Sequence, residues 1–167
     1  MESVRTQDSR ADFESLFGPM DSATQASIRA GLAGVDAALS ELLGTARRIR
    51  PSSWRLVPTS IEAFPSGQTV ISAYVEDGNA AEGITFWFEL HAGNYHDIDP
   101  TPPKPPWHIE TDVYVDGNEG RTECVHSNMK EATDPARAVK ALNEAVSDIQ
   151  SQLVEKPPRA SIWRASS

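Results

Sequence analysis

Apolar residues recur every three or four positions between residues 28 and 49. The repeat predicts one long amphipathic helix of about 27 residues. Ser22 with Gln25 is typical of a capping box at a helix start, and Pro51 is expected to end the helix. Gly44 is where we expect a break, because glycine costs about 0.5–1 kcal/mol relative to alanine inside a helix. The apolar positions are Ile28, Leu32, Val35, Leu39, Leu42, Ala46 and Ile49.

Between residues 53 and 128 apolar and polar residues alternate with a period of two, which indicates β-strands. Turn sequences such as Asp77-Gly78-Asn79 separate the alternating segments, so consecutive strands are expected to pair as an antiparallel meander. Pro58 interrupts the first strand and predicts a bulge or an edge position, because proline donates no hydrogen bond to a ladder. The predicted strands are Trp54–Phe64, Gln68–Glu76, Gly83–His91, Trp107–Asp116 and Arg121–Ser127.

A second helix is predicted after the strands, with Asp134 as its N-cap and Pro135 as its first residue. Its apolar residues, from Val139 to Leu153, recur at spacings of three and four. The chain is therefore predicted to be a two-layer α+β fold in the order α-β-β-β-β-β-α, with both helices packed on one face of a five-stranded antiparallel meander sheet. The predicted domain covers residues 21–156, between a flexible N-terminal arm (1–20) and a C-terminal tail (157–167) that contains Trp163.

Composition narrows the class of protein. The chain has 167 residues, with 24 acidic and 15 basic side chains and a formal net charge of −9, which disfavours binding to nucleic acid or to an anionic membrane. No apolar run reaches the ~18 residues of a membrane span, and no secretory signal is recognisable. The single cysteine, Cys124, excludes an internal disulfide. We expect an acidic, cytoplasmic protein without a cofactor.

Polar residues alternate with the apolar ones in the third and fourth strands. Side chains two residues apart in a strand point to the same side, so paired strands would bring several of them onto one face. Cys124 and His126 join this face if the fifth strand has matching parity, although a small buried hydrophobe is the expected role of Cys124. The interpretations are a solvated surface, a protein-binding surface with aromatic anchors, or a metal site. The polar residues are Trp87, Glu89, His91, His108, Glu110, Asp112 and Tyr114.

A proline-rich loop, Ala92–Pro106, connects the third and fourth strands. Loops of this length in a compact domain are usually functional or disordered, and the five prolines predict a stiff polyproline II spacer. Tyr95 lies in this loop beside His96, Asp97 and Asp99, which are similar to a small metal-binding cluster. The preferred interpretation of the two aspartates is that they cap a turn before Pro100 through hydrogen bonds to the backbone.

The chain has no nucleophile elbow, phosphate-binding loop or dinucleotide-binding glycine pattern, and no catalytic residue is predicted. The leading hypothesis is a non-enzymatic acidic module, such as an inhibitor or immunity-type protein, that binds a basic protein through the sheet face and the proline-rich loop. The predicted binding residues are Trp87, Glu89, His91, Tyr95, His108, Glu110, Asp112 and Tyr114. The alternative is a metal-dependent enzyme or small-ligand-binding protein with its site on the same face, with ligands among His91, His108, Glu110, His96 and Asp97. A homodimer that pairs its sheet faces or edge strands is the third hypothesis.

Overall fold

Two long helices flank five strands in the part of the chain that the computed structural model describes. The described residues are 14–51, 53–63, 69–78, 83–92, 106–116 and 122–155. The strands form one sheet in the order β1-β2-β3-β4-β5, and every neighbouring pair is antiparallel, as predicted. The elements are α1 (Ser22–Ile49), β1 (Trp54–Ala63), β2 (Thr69–Asp77), β3 (Ile84–Ala92), β4 (Trp107–Asp116), β5 (Thr122–Ala132) and α2 (Pro135–Glu155).

Both helices pack against the same face of the sheet. α1 contacts β1 and β2, α2 contacts β3, β4 and β5, and the two helices contact each other. Alternate residues of the central strands are fully buried on this face, among them Phe86 and Phe88 of β3 and Val113 and Val115 of β4. The predicted two-layer α+β architecture is therefore confirmed. Neither of the described helices is apolar enough along its length to cross a membrane.

The two helices begin at aspartates. Asp21 is the N-cap of α1, and its Oδ1 accepts a hydrogen bond from the backbone N–H of Thr24 at 2.7 Å. Ser22, which the sequence predicts as the cap, is instead the first helical residue. The predicted cap is one residue too late because aspartate and serine are equally good N-caps. At α2 the prediction is confirmed, because Asp134 Oδ1 accepts from the N–H of Arg137 at 2.9 Å.

The glycines of α1 do not interrupt the helix, and one of them, Gly31, lies at a close contact with α2. α1 continues through Gly44 to Ile49, so the predicted break is wrong. At Gly31 an added methyl group would lie 2.7 Å from Cγ1 of Val139 on α2, and the buried valine has a stiff side chain that cannot easily move away. Gly31 thus permits the close contact between the helices that compensates for its low helix propensity.

β1 bulges at Pro58, as predicted. Its register with β2 shifts between Val57 and Ser60, because proline donates no hydrogen bond to the ladder. Thr59 donates from both its backbone N–H and its hydroxyl to Asp36 Oδ1 on α1, at 2.9 and 2.8 Å. Asp36 therefore accepts a hydrogen bond from a backbone N–H at the bulge and attaches β1 to α1.

β5 extends beyond the predicted strand Arg121–Ser127. It runs over Thr122–Ala132 and pairs with β4 along the whole length of β4. The register shifts between Val113 and Tyr114, where Val125 of β5 has no directly opposed residue. The predicted end is wrong because the second half of this edge strand is mostly exposed, so it shows no alternation of apolar and polar residues.

The residues immediately before α1 belong to the core. Residues 14–17 form one helical turn, in which Leu16 and Phe17 are buried. Trp107 Nε1 donates a hydrogen bond to the Leu16 carbonyl at 2.8 Å, and the Trp107 ring lies 5.9 Å from that of Phe17. Packed structure therefore begins before residue 21, where the sequence places the start of the domain. The rest of the predicted arm and the predicted tail lie outside the described residues.

Candidate functional site

The face of the sheet away from the helices, here called the polar face, carries charged and aromatic side chains. Directly opposed residues in antiparallel strands lie on the same side of a sheet, so the register assigns each residue to a face. All the predicted binding residues of β3 and β4 lie on the polar face. Its described residues are Arg55, Val57, Ser60, Glu62, Val70, Ser72, Tyr74, Glu76, Thr85, Trp87, Glu89, His91, His108, Glu110, Asp112, Tyr114, Asp116, Thr122, Cys124, Ser127, Met129 and Glu131.

The polar face is strongly acidic, since its described residues include seven carboxylates and one permanent cation. The cation, Arg55, is paired with Glu76, and its guanidinium lies 6.0 Å from the centre of the Tyr74 ring. The remaining negative charge of this face would attract a positively charged surface. The carboxylates are Glu62, Glu76, Glu89, Glu110, Asp112, Asp116 and Glu131.

An aromatic pair lies near the middle of the polar face. Tyr74 of β2 is directly opposite Trp87 of β3, and their rings stack 5.1 Å apart at an interplanar angle of 11°. Trp87 Nε1 donates to Glu89 Oε2 at 3.1 Å, which fixes the indole. Both rings are half-buried, so they offer apolar area to a ligand while held in one orientation.

Among the polar-face residues that the sequence analysis did not name as candidates, Tyr74 and Met129 have large apolar side chains. Tyr74 alternates with Ala73 and Val75, which are buried under the helices, so the parity of β2 would have placed it on the polar face. Met129, whose side chain is 55% exposed, lies opposite Glu110 in the part of β5 that was not predicted as strand. No alternation signal marks Met129.

The two histidines of the polar face lie side by side. His91 is directly opposite His108, and their rings are 5.3 Å apart with an interplanar angle of 25°. His91 Nε2 is 3.9 Å from Glu110 Oε1, and His108 Nδ1 is 3.8 Å from Glu131 Oε1. His91 and Glu89 are shielded from solvent, at 2% and 9% exposure, whereas Glu131 at the edge is 64% exposed.

Three side chains in this region converge as ligands to a cation would. One donor atom from each of Glu89, His91 and Glu110 lies within 4.8 Å of the others. The predicted metal set differed, because it used His108 in place of Glu89. His96 and Asp97, also in the predicted set, and Tyr95 of the predicted binding set lie outside the described residues.

Two further candidate residues, Cys124 and His126, lie on β5, and the bulge between them places them on opposite faces of the sheet. His126 is opposite Val113 and therefore lies on the side of the helices, where it lines a cleft of about 290 Å³ with residues of α2. Cys124 lies opposite Tyr114 on the polar face and is exposed, so its expected burial is wrong. Local desolvation, with the negative charge of Asp112, raises the pKa of the Cys124 thiol, which disfavours a nucleophilic thiolate.

Tyr114 is expected to ionise at unusually high pH. Partial desolvation, reinforced by the charge of Asp112 and a hydrogen bond to its Oδ2 at 3.2 Å, raises the pKa of Tyr114 to about 12. The folded state thus holds this proton more tightly than the unfolded chain, in which tyrosine has a pKa near 10. The resulting stability is fully present below about pH 10 and is lost as the pH rises towards 12.

Ultraviolet absorbance of tyrosinate measures this ionisation. We expect a late step near pH 12 in the wild type. Asp112→Asn should lower the pH of that step, because it removes the neighbouring charge, while desolvation keeps the step above the pH of about 10 that is usual for tyrosine. Tyr114→Phe is the control, since the chain has three tyrosines. A late step that persists in Tyr114→Phe would show that another tyrosine is responsible.

Compared with models of protein families, with curated proteins and with solved structures, the chain matches none. A two-layer α+β fold supports many unrelated functions, so the fold alone does not define one. The function is therefore inferred from the side chains of the polar face.

Proposed function

We propose that the protein is a non-enzymatic acidic binding module, of the inhibitor or immunity type, whose polar face binds a protein with a basic surface. The observation that carries this proposal is the half-buried stack of Tyr74 on Trp87 within a face of seven carboxylates and one permanent cation. Rigid aromatic side chains surrounded by polar residues are typical of the centre of a protein–protein interface.

The stacked rings are suited to act as an anchor. Their orientation is already fixed in the free protein by the sheet register and by the hydrogen bond from Trp87 to Glu89. A partner that packs against them therefore pays little conformational entropy at these side chains. Met129 adds a second exposed apolar side chain to the polar face, on the edge strand β5 beyond the carboxylates of β4.

The surrounding carboxylates select the charge of the partner. Negative potential over the polar face increases the rate of encounter with a basic surface and repels acidic ones, including the phosphates of nucleic acid. Because all of these carboxylates except Glu89 are partly or fully exposed, their contribution to the encounter rate is expected to fall as salt is raised. A basic protein is thus the occupant that the charge of this face favours.

Site-specific photo-crosslinking tests this proposal. A photoreactive amino acid is placed at Met129 on the polar face or, as a matched control, at Val154 on α2; these are the exposed large hydrophobic residues of the described structure, at 55% and 68%. In the cells that produce the protein we expect position 129 to form one dominant crosslink to a basic protein and position 154 to form none. In lysate, the crosslink should weaken in high salt.

Three outcomes would contradict the proposal. Equal crosslinking from positions 129 and 154 would indicate non-specific contact, and no crosslink from position 129 would leave the polar face without a partner. A crosslink to a second copy of the chain would instead indicate a homodimer, which sedimentation at several protein concentrations would verify.

A further inference from the structure

We infer that Glu89, His91 and Glu110 form a binding site for a divalent transition-metal ion such as Zn²⁺. The donor atoms of the three side chains lie within 4.8 Å of one another. One imidazole nitrogen and two carboxylate oxygens form a ligand set that zinc accepts, with room for a further ligand. This inference does not depend on the proposed protein partner.

The geometry is close to that of a bound ion. Ligands at ~2.0–2.2 Å from tetrahedral zinc are separated from one another by roughly 3.4 Å. His91 Nε2 and Glu110 Oε1 are already 3.9 Å apart. Closing the cluster therefore requires side-chain movements of about 1 Å, within the reach of glutamate rotamers, while the paired strands hold the backbone in place.

Electrostatics favours a cation at this position. Glu89 and Glu110 are directly opposed in the β3–β4 ladder, and like charges at directly opposed positions destabilise a sheet. Solvent screens the pair poorly, because Glu89 is 9% exposed and the Glu110 side chain 22% exposed. A divalent ion between the carboxylates would replace this repulsion with attraction.

Neighbouring groups hold the ligands in orientation. The indole N–H of Trp87 donates to Glu89 Oε2, and the His108 ring stacks against that of His91. Such outer contacts orient metal ligands and commonly influence affinity. The imidazole ligand also determines the class of ion, because Mg²⁺ and Ca²⁺ prefer sets made of oxygen atoms alone.

Calorimetric titration of the full chain, after removal of bound metal by a chelator and then of the chelator, tests the site. We expect one Zn²⁺ per chain and no comparable binding of Mg²⁺. His91→Ala, Glu89→Gln and Glu110→Gln should each weaken zinc binding at least tenfold. His126→Ala is the matched control, because His126 lies on the other side of the sheet, and it should bind zinc as the wild type does.

Two further measurements separate loss of the ion from loss of the fold. Co²⁺ bound in place of zinc should give visible absorption bands that disappear in Glu89→Gln and Glu110→Gln, whose side chains are isosteric with the originals. Zinc at a hundredfold excess over Kd should raise the unfolding temperature of the wild type by about 5–10 °C. Without zinc, the two glutamine variants should unfold at or above the wild-type temperature, because each removes the repulsion between the opposed carboxylates.

The inference is overturned if the metal-free protein takes up no zinc. It is also overturned if zinc binds with the same affinity to all three cluster variants, or if His126→Ala weakens binding as much as His91→Ala does. If the protein binds zinc at this cluster but forms no crosslink from position 129, the metal site is supported and the proposed protein-binding function is contradicted.

Discussion

Phe88→Ala is expected to lower the free energy of unfolding by about 3–5 kcal/mol. Phe88 is fully buried in the core between the sheet and the helices. Truncation removes the transfer free energy of the ring and leaves a cavity, because α2 packs against β3 and cannot fully collapse into the space. Urea unfolding followed by circular dichroism measures the change, provided that the slope with denaturant stays that of the wild type.

Two variants make this prediction specific to the face of the strand. Phe88→Leu restores most of the lost volume and should therefore cost less than Phe88→Ala. Thr85→Ala, on the polar face of the same strand, should change stability by about 0.5 kcal/mol or less, as expected of a partly exposed position. If Thr85→Ala cost as much as Phe88→Ala, the assignment of β3 side chains to the two faces would be incorrect.

The face of the sheet on which each side chain of β3 and β4 lies was predictable, because the two faces lie in different environments. Phe86 and Phe88 are buried under the helices, whereas Trp87 and Glu89 lie on the polar face. A slip of one residue would move every apolar side chain to the wrong side, so the amino-acid sequence has to carry this alternation. The predicted grouping of the β3 and β4 site residues on one face followed from it.

Features set by long-range contacts or by local irregularity could not be predicted in the same way. The bulge at Val125 separates Cys124 from His126, but no alternation on this exposed edge strand indicates where the extra residue lies. Leu16 is buried, and its carbonyl accepts a hydrogen bond from Trp107, 91 residues away. Phe13, Leu16 and Phe17 indicate a short helical turn ended by Gly18 and Pro19, but not the strand against which that turn packs.

To predict the candidate metal cluster, the register between β3 and β4 has to be known as well as the face on which each residue lies. Parity places Glu89, His91 and Glu110 on one face, but the length of the connection between β3 and β4 leaves their relative position open. Once Glu89 is opposite Glu110 and His91 is opposite His108, the second carboxylate enters the cluster. The sequence-based set had favoured both histidines, because imidazole is the more diagnostic ligand for transition metals.

Trp87→Ala is expected to weaken binding of the crosslinked partner about 30-fold, which corresponds to about 2 kcal/mol. The substitution removes the ring that stacks on Tyr74 and the hydrogen bond to Glu89, so the apolar centre of the proposed interface is lost. Surface plasmon resonance with the partner identified from position 129 measures the affinity. Most of the loss should appear as faster dissociation, because the carboxylates that govern encounter are unchanged.

Trp87→Phe and His126→Ala are the control variants that show whether the loss of affinity is due to the aromatic ring. Trp87→Phe keeps an aromatic ring opposite Tyr74 and loses only the indole N–H, so it should bind more tightly than Trp87→Ala. His126→Ala lies on the helix side and should leave affinity unchanged. If Trp87→Ala bound within about threefold of the wild type, less than 1 kcal/mol, the aromatic pair would not be an anchor. Binding by the polar face would then have to come from its carboxylates and histidines, and the side chains of β3 would contribute to stability through the buried face alone.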